Sequence, residues 1–357
     1  MTGTPAGAWA LPAAEDELPH TPSGLRDDLP WKDTYWFSFR DEKADVTGAV
    51  HLTVSANRKP GLRATVALRH HGAQVLRTVY EVPVRSDDSV GGDLVTLRVI
   101  NGHWDTRKHL VLTFDTGLVA GTVEFGGRHL GPNLALLCPG LLPTASAVEL
   151  SGHAEQGAVI TGDIRWAGEA MHLEGYGHRD RSWGYRKSDG MNPLGYTFAG
   201  VHLPGATIGF LGWQHPSAGA DEPVPVGAWL ADDSGVYAAV DGFYRRSAEG
   251  RPDTCGFTLA DGRSVEARSV EPTAELFYAY HEPEFDGPAM GTISWDQHML
   301  MVSPDGPARG IFNHGSVFLA DVFRNARFCA AAPAGPGSAM TASGEDPGGA
   351  PRGDFPS

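Results

Sequence analysis

The sequence is poor in features that would each point to a class of protein. It has three cysteines, Cys138, Cys255 and Cys329, far apart and odd in number. They form no CxxC pair, so neither a disulfide framework nor a zinc ribbon is expected, and a reducing cytoplasm is the expected compartment. No apolar run reaches the ~18 residues of a spanning helix. The opening stretch, MTGTPAGAWALPAAEDELP, lacks a basic region followed by an apolar one, so no signal peptide is expected. Basic residues are scarce: 28 Lys and Arg stand against 43 Asp and Glu, for a formal charge of −15. Without a basic stripe such a chain repels a phosphate backbone, which excludes nucleic acid as a partner. Long 3.6-residue periodicity is missing too, so a helical fold is not expected.

What is there has a period of two. Val50, Leu52 and Val54 alternate with polar neighbours, as do Leu62, Ala64, Val66 and Leu68. Similar runs occupy 94–99, 109–114, 157–166, 196–203 and 206–213, separated by turn signals such as ANRKPG, DDSG and ADGR. In the last two, glycine fills positions of positive φ expected in hairpins. Many short strands at roughly ten-residue spacing predict an all-β fold. The 357 residues are too many for one such unit, so two packed antiparallel β-domains, barrel or sandwich, are expected. Residues 1–25 read as a flexible N-terminus, 26–175 as an N-terminal β-domain and 176–329 as a C-terminal β-domain. The Ala/Pro/Gly-rich stretch 330–357 reads as a disordered tail, and its Arg352-Gly353-Asp354 tripeptide as a chance occurrence.

Reactive side chains concentrate in GYGHRDRSWGYR, residues 175–186. A dinucleotide loop is excluded, because Asp180 stands at the third glycine position and no helix follows. As a strand, the segment puts Tyr176, His178, Asp180, Ser182 and Arg186 on one face, and Arg179, Arg181, Trp183 and Tyr185 on the other. Residues i and i+2 lie about 6.5–7 Å apart, too far for the nucleophile–base hydrogen bond of a serine triad. Proton chemistry fits better. An aspartate in an apolar cavity has its pKa raised and stays protonated near neutrality. A nearby histidine can reload it, and an indole face can stabilise a cation formed on the substrate. The competing reading is a buried ion pair of Arg179, Asp180 and Arg181, with Trp183 packed between domains.

The stretch 153–186, HAEQGAVITGDIRWAGEAMHLEGYGHRDRSWGYR, resembles the central signature of the carotenoid hydratase (hydroxyneurosporene synthase) and AttH-like superfamily. Residues 27–54 resemble that family's opening strands. This sequence has Arg181 where a histidine is more usual, and an arginine there cannot act as acid or base. The resemblance implies two lipocalin-like β-domains sharing an interdomain pocket. The activities it implies are hydration of an isoprenoid double bond or, as in fungal relatives, Diels–Alder cyclisation of polyenes. Carried over by position, the implied site is Arg179, Asp180, Ser182 and Trp183, with Glu155 and Gln156 from the preceding element.

Aromatic residues suited to a flat or polyene ligand add Trp31, Tyr35, Trp36, Tyr185 and Tyr280 as substrate-binding candidates beside Glu155 and Gln156. The histidines and carboxylates elsewhere match no metal-ligand spacing, so no metal site is assigned. These readings lead to a cofactor-independent enzyme acting on a hydrophobic isoprenoid or polyene small molecule, by acid-catalysed hydration, dehydration or cyclisation of a double bond. Asp180 is the expected acid, His178 its relay, Trp183 the cation-stabilising wall and Arg179 the orienting group. A non-catalytic carrier of a hydrophobic ligand and a pericyclase are the two alternatives. On a regular strand, however, Asp180 and Trp183 face opposite ways. A bend at Gly184 or a bulge near Ser182 is needed to bring both to one pocket.

Overall fold

Period-two alternation becomes strand almost throughout. The computed structural model describes residues 10–319, except 21, 23, 58–59, 101–108, 138–147, 187–194, 215–223, 249 and 282–289. The first half builds β1 (Trp31–Asp41), β2 (Val46–Ser55), β3 (Gly61–His70), β4 (Ala73–Glu81), β5 (Val84–Arg85), β6 (Ser89–Gly91), β7 (Val95–Val99), β8 (His109–Asp115), β9 (Val119–Gly127), β10 (Val148–Trp166) and β11 (Glu169–Arg186). The second half builds β12 (Gly195–Leu203), β13 (Ala206–Gln214), β14 (Val224–Asp232), β15 (Gly235–Arg246), β16 (Pro252–Leu259), β17 (Ser264–His281), β18 (Met290–Ser303) and β19 (Gly306–Leu319). The expected hairpins at DDSG and ADGR are present, with Gly235 and Gly262 at positive φ. The only α-helix among the described residues is the four-residue Leu134–Leu137. No helix among them is long and apolar enough to cross a membrane.

The protein is all-β, as the alternation predicts. β1 to β11 form one antiparallel sheet in the order β4-β3-β2-β1-β11-β10-β9-β8-β7-β6-β5. Its edge strands β4 and β5 follow each other in the chain across Val82 and Pro83, so the sheet curls until its edges meet. β12 to β19 form a closed eight-stranded barrel, sealed by the β12–β19 ladder. The boundary expected at 175/176 falls inside β11, and the change from sheet to barrel comes after Arg186. Each unit has its own core. Phe37, Phe39, Leu52, Val66 and Phe125 fill the curl of the sheet, and Val201, Phe210, Tyr244, Met299 and Phe312 fill the barrel. Each of these side chains contributes about 1.5–3 kcal/mol by leaving water.

The expected termini split. Residues 1–9 and the tail from 330, with its Arg-Gly-Asp, lie outside the described residues. Residues 10–20 are packed, which corrects the reading of a flexible lead-in to residue 25. Ala10 is buried against Leu134 and Trp229, and the 3-10 turn Ala14–Glu17 brings Glu17 onto Arg179 at 2.9 Å. Composition gave that segment little apolar surface to bury, chiefly Ala10, Leu11 and Leu18. A buried arginine waiting for a carboxylate anchors it instead.

The two units meet face to face. The outward side chains of β1, β10 and β11 lie on the outward side chains of barrel strands β12, β13, β14, β17, β18 and β19. Trp36, Phe198, Leu211 and Ile311 form an apolar cluster there. Ser38 meets His298 at 3.2 Å, and Trp36 Nε1 donates to the Tyr278 hydroxyl at 2.9 Å.

Candidate active site

The site is set by strand register. β11 pairs with β1 without a shift from Arg40↔Tyr176 to Trp31↔Tyr185. The one irregularity nearby is in the neighbouring strand, between Leu150 and Gly152 of β10. The strand carrying the motif therefore stays regular, and its two faces have different surroundings. Asp180 stands between Trp36 of β1 and Glu155 of β10, all three on the face toward the barrel. Trp183 is on the other face.

That other face is a clasp inside the curled sheet. Arg179 donates to Glu17 Oε2 at 2.9 Å and, through Nε, to Gln156 Oε1 at 2.9 Å. Arg181 pairs with Asp33 at 2.8 Å and donates to the Leu18 carbonyl at 2.6 Å. The Arg181 guanidinium lies over the rings of Tyr35 and Trp183, each at 4.8 Å. Trp183 also stacks on His20 at 5.0 Å. Trp31 packs edge-on against Tyr185 at 5.0 Å and donates to Asp33 at 3.0 Å. Arg179, Gln156, Trp183, Trp31, Tyr35 and Tyr185 are thus brought together, but away from Asp180. Tyr280 lies in β17, and its side chain falls outside the described residues. Ser182 meets the Thr34 hydroxyl at 2.8 Å.

Facing the barrel is a buried acid–base cluster. His153 Nε2 donates to Glu155 Oε1 at 3.1 Å and lies 2.7 Å from Asp180 Oδ2. One N–H cannot point at both. Although it sits at hydrogen-bond distance, Asp180 Oδ2 has no aligned donor among the described residues. Trp229 Nε1 donates to the other Glu155 oxygen at 3.0 Å. Burial opposes a charge on His153, but the carboxylates of Asp180 and Glu155 outweigh it and push the imidazole up to about 10. Burial likewise opposes the charge on Glu155, yet the hydrogen bond from His153 brings it down to about 2. The side chains of His153 and Asp180 each keep 9% exposure, and Glu155 is fully buried.

His178 lies beside this cluster, its Nε2 3.8 Å from Glu155 Oε2, beyond hydrogen-bond reach. Its ring sits between two indoles, 6.4 Å from Trp36 and 6.4 Å from Trp229. Neither ring nitrogen has a hydrogen-bond partner among the described residues. The ring fits there because β12 has glycine opposite: a Cβ on Gly200 would sit 2.0 Å from His178 Nδ1.

Across Trp36 lies a second acid that the sequence reading missed. The fully buried Asp296 of β18 accepts from Asn313 Nδ2 and, at 3.5 Å, from the Tyr278 hydroxyl that also receives Trp36. Its partners among the described residues are all neutral, and burial pushes its carboxyl up to about 7. The setting expected of Asp180, an acid held among uncharged neighbours, is the setting of Asp296. The only signal in the sequence was alternation in ISWDQHM, which puts Ser294, Asp296 and His298 on one face.

His153, Glu155 and Asp180 also offer one nitrogen and two carboxylate oxygens within 4.8 Å of one another, a set able to hold a divalent cation. The sequence reading had assigned no metal ligands. In the described arrangement the Nε2 proton occupies the space between the carboxylates, so a cation would have to displace it.

The model of the family described as a domain of unknown function, DUF7064, matches residues 13–266. Among solved structures the chain is similar to an AttH-type protein from Nitrosomonas europaea, with 13% identity over 88% of this chain and 99% of that one (TM-score 0.52). It is similar to CghA crystallised with Sch210972, with 12% identity over 82% and 89% (TM-score 0.50). A fainter likeness, TM-score 0.47, is to kievitone hydratase from Nectria haematococca, with 12% identity over 89% and 95%. No curated protein matches the chain in sequence. At these identities the likeness is one of fold. It agrees with the AttH-like part of the resemblance seen in the sequence and does not single out carotenoid hydratases.

Proposed function

The chain belongs to the DUF7064 family, whose description names no activity, and we propose from its site that it is a cofactor-independent enzyme adding a proton to a hydrophobic small molecule. The reaction class is hydration or dehydration of a double bond, and an isoprenoid is the substrate class that suits the walls. The observation that carries this reading is the pair of carboxyl systems flanking Trp36. Asp296 holds its proton to about pH 7, while Glu155 stays ionised beside a protonated His153. Titratable groups pushed apart in this way supply an acid and a base at one pH.

In the forward direction Asp296 delivers its proton to one alkene carbon. The cation forms against the indole of Trp36, whose π-face lowers its energy. A water that gives up a proton to the Asp180–His153 couple adds its oxygen to the other carbon. Dehydration is the reverse. Trp36, Phe198, Leu211 and Ile311 give the interface its apolar wall. CghA, of the same fold, was crystallised with Sch210972, which supports a small-molecule site in this architecture. In this reading Arg179, Arg181 and Trp183 hold the N-terminal segment and shape the sheet.

The test is incubation with a panel of isoprenoid alkenes and allylic alcohols, such as linalool, geraniol and farnesol, in H2¹⁸O. The expected result is a product carrying solvent oxygen, lost in Asp296→Asn and in Asp180→Asn. Labelled product that persists in both variants would overturn the assignment.

A further inference from the structure

A second site lies at the rim of the same interface, bordered by Tyr176, which packs against the Trp36 cluster. An open cleft of about 260 Å³ is lined by Arg128, Tyr176, His202 and Arg309 and by small apolar residues, among them Val159 and Leu203. Its charges are unequal. Arg309 is neutralised by Glu42, with two hydrogen bonds of 2.6 and 3.0 Å. Arg128 donates only to the Leu203 carbonyl at 2.6 Å and has no carboxylate partner among the described residues. Partial burial makes that lone charge costly, and it draws the guanidinium pKa down. His202 is 5% exposed, and its Nε2 has no partner among the described residues. That nitrogen is itself shielded from solvent, so His202 forms part of the buried wall of the cleft.

The cleft thus presents one cationic donor beside an apolar floor. The geometry points to a binding site for the carboxyl end of a small apolar acid. The carboxylate oxygens accept from Arg128. The apolar body covers the exposed Val159, Pro204 and Pro307. A neutral alcohol brings no charge to Arg128. The volume, just below the ~300–1,000 Å³ of drug-sized sites, sets the ligand's size at about one ring with a short arm. Binding there is read without turnover.

The probe is trans-cinnamate, titrated by calorimetry into the full-length chain beside its neutral counterpart, cinnamyl alcohol. Cinnamate is expected to bind at one site and the alcohol at least about tenfold more weakly, the worth of one charge-assisted hydrogen bond. Arg128→Gln should lose at least about tenfold in cinnamate affinity, while the exposed Arg98→Gln binds as the parent does. Methyl resonances of Val159 should shift on binding. They keep the test decisive if Arg128→Gln does not fold, because the parent protein alone then reports site and charge preference. No binding of cinnamate, equal binding of acid and alcohol, or shifts confined to other methyls would overturn the proposal.

Discussion

His153 Nε2 stands 2.7 Å from Asp180 Oδ2 while donating its proton to Glu155 Oε1 at 3.1 Å. One imidazole therefore serves two buried carboxylates from neighbouring strands in register. Removing the imidazole leaves both negative charges in the interface. His153→Ala should cost about 3–5 kcal/mol, the range for breaking a buried ion pair. The pH dependence has a definite sign. The raised His153 contributes fully below its unfolded value near 6.5 and is lost as pH rises through about 10. The lowered Glu155 contributes above 4.5 and is lost as pH falls through about 2. Chemical denaturation should show the His153→Ala deficit largest between about pH 4.5 and 6.5. A deficit that is flat from pH 2 to 10 would count against the pairing.

Asp296 has the opposite linkage. Its carboxyl is raised to about 7, so the fold binds a proton that the unfolded chain has released. Stability from this group is full below pH 3.8 and is lost as pH rises through about 7. Asp296→Asn copies the protonated acid and keeps the acceptor for Asn313. It should stabilise the protein at pH 8 by a few kcal/mol at most, on the order of 1.4 kcal/mol per unit shifted, and do little at pH 4. Melting temperatures of both proteins at the two pH values decide this.

The fit of His178 over Gly200 predicts a steric effect. A Cβ at residue 200 would lie 2.0 Å from the imidazole. Gly200→Ala should destabilise by about 1–3 kcal/mol. The double variant Gly200→Ala/His178→Ala should recover much of that loss, and a denaturation cycle measures the coupling.

The clasp predicts a local opening. Arg179→Met leaves Glu17 buried without its cation, and should release residues 10–20 while the barrel stays folded. Hydrogen exchange should rise in that segment, with strands of the barrel unchanged. Unchanged exchange at residues 10–20 would show that the ion pair does not hold the segment.

Alternation of side chains was enough to predict an all-β chain and to divide GYGHRDRSWGYR correctly into two faces. It also set the condition that Asp180 and Trp183 share a pocket only if the strand bends. The strand does not bend, and register then assigns Asp180 to the interface and Trp183 to the clasp. Which partners these faces meet was not legible, because His153, Trp36, Trp229 and Asp296 reach the site from four separate strands. Strand pairing across more than a hundred residues leaves no local mark. Glu155 came from the resemblance alone. Asp296 was passed over because an aspartate on an alternating strand looks like an exposed one until the second unit covers it.

The most direct measurement is a ¹³C NMR titration of side-chain carboxyls in the intact protein, compared with Asp296→Asn. The account predicts one carboxyl resonance titrating near pH 7 in the parent protein and missing from the variant. A parent protein with every carboxyl titrating below about pH 5, or a near-neutral titration that survives in the variant, would contradict the assignment of Asp296 as the stored acid.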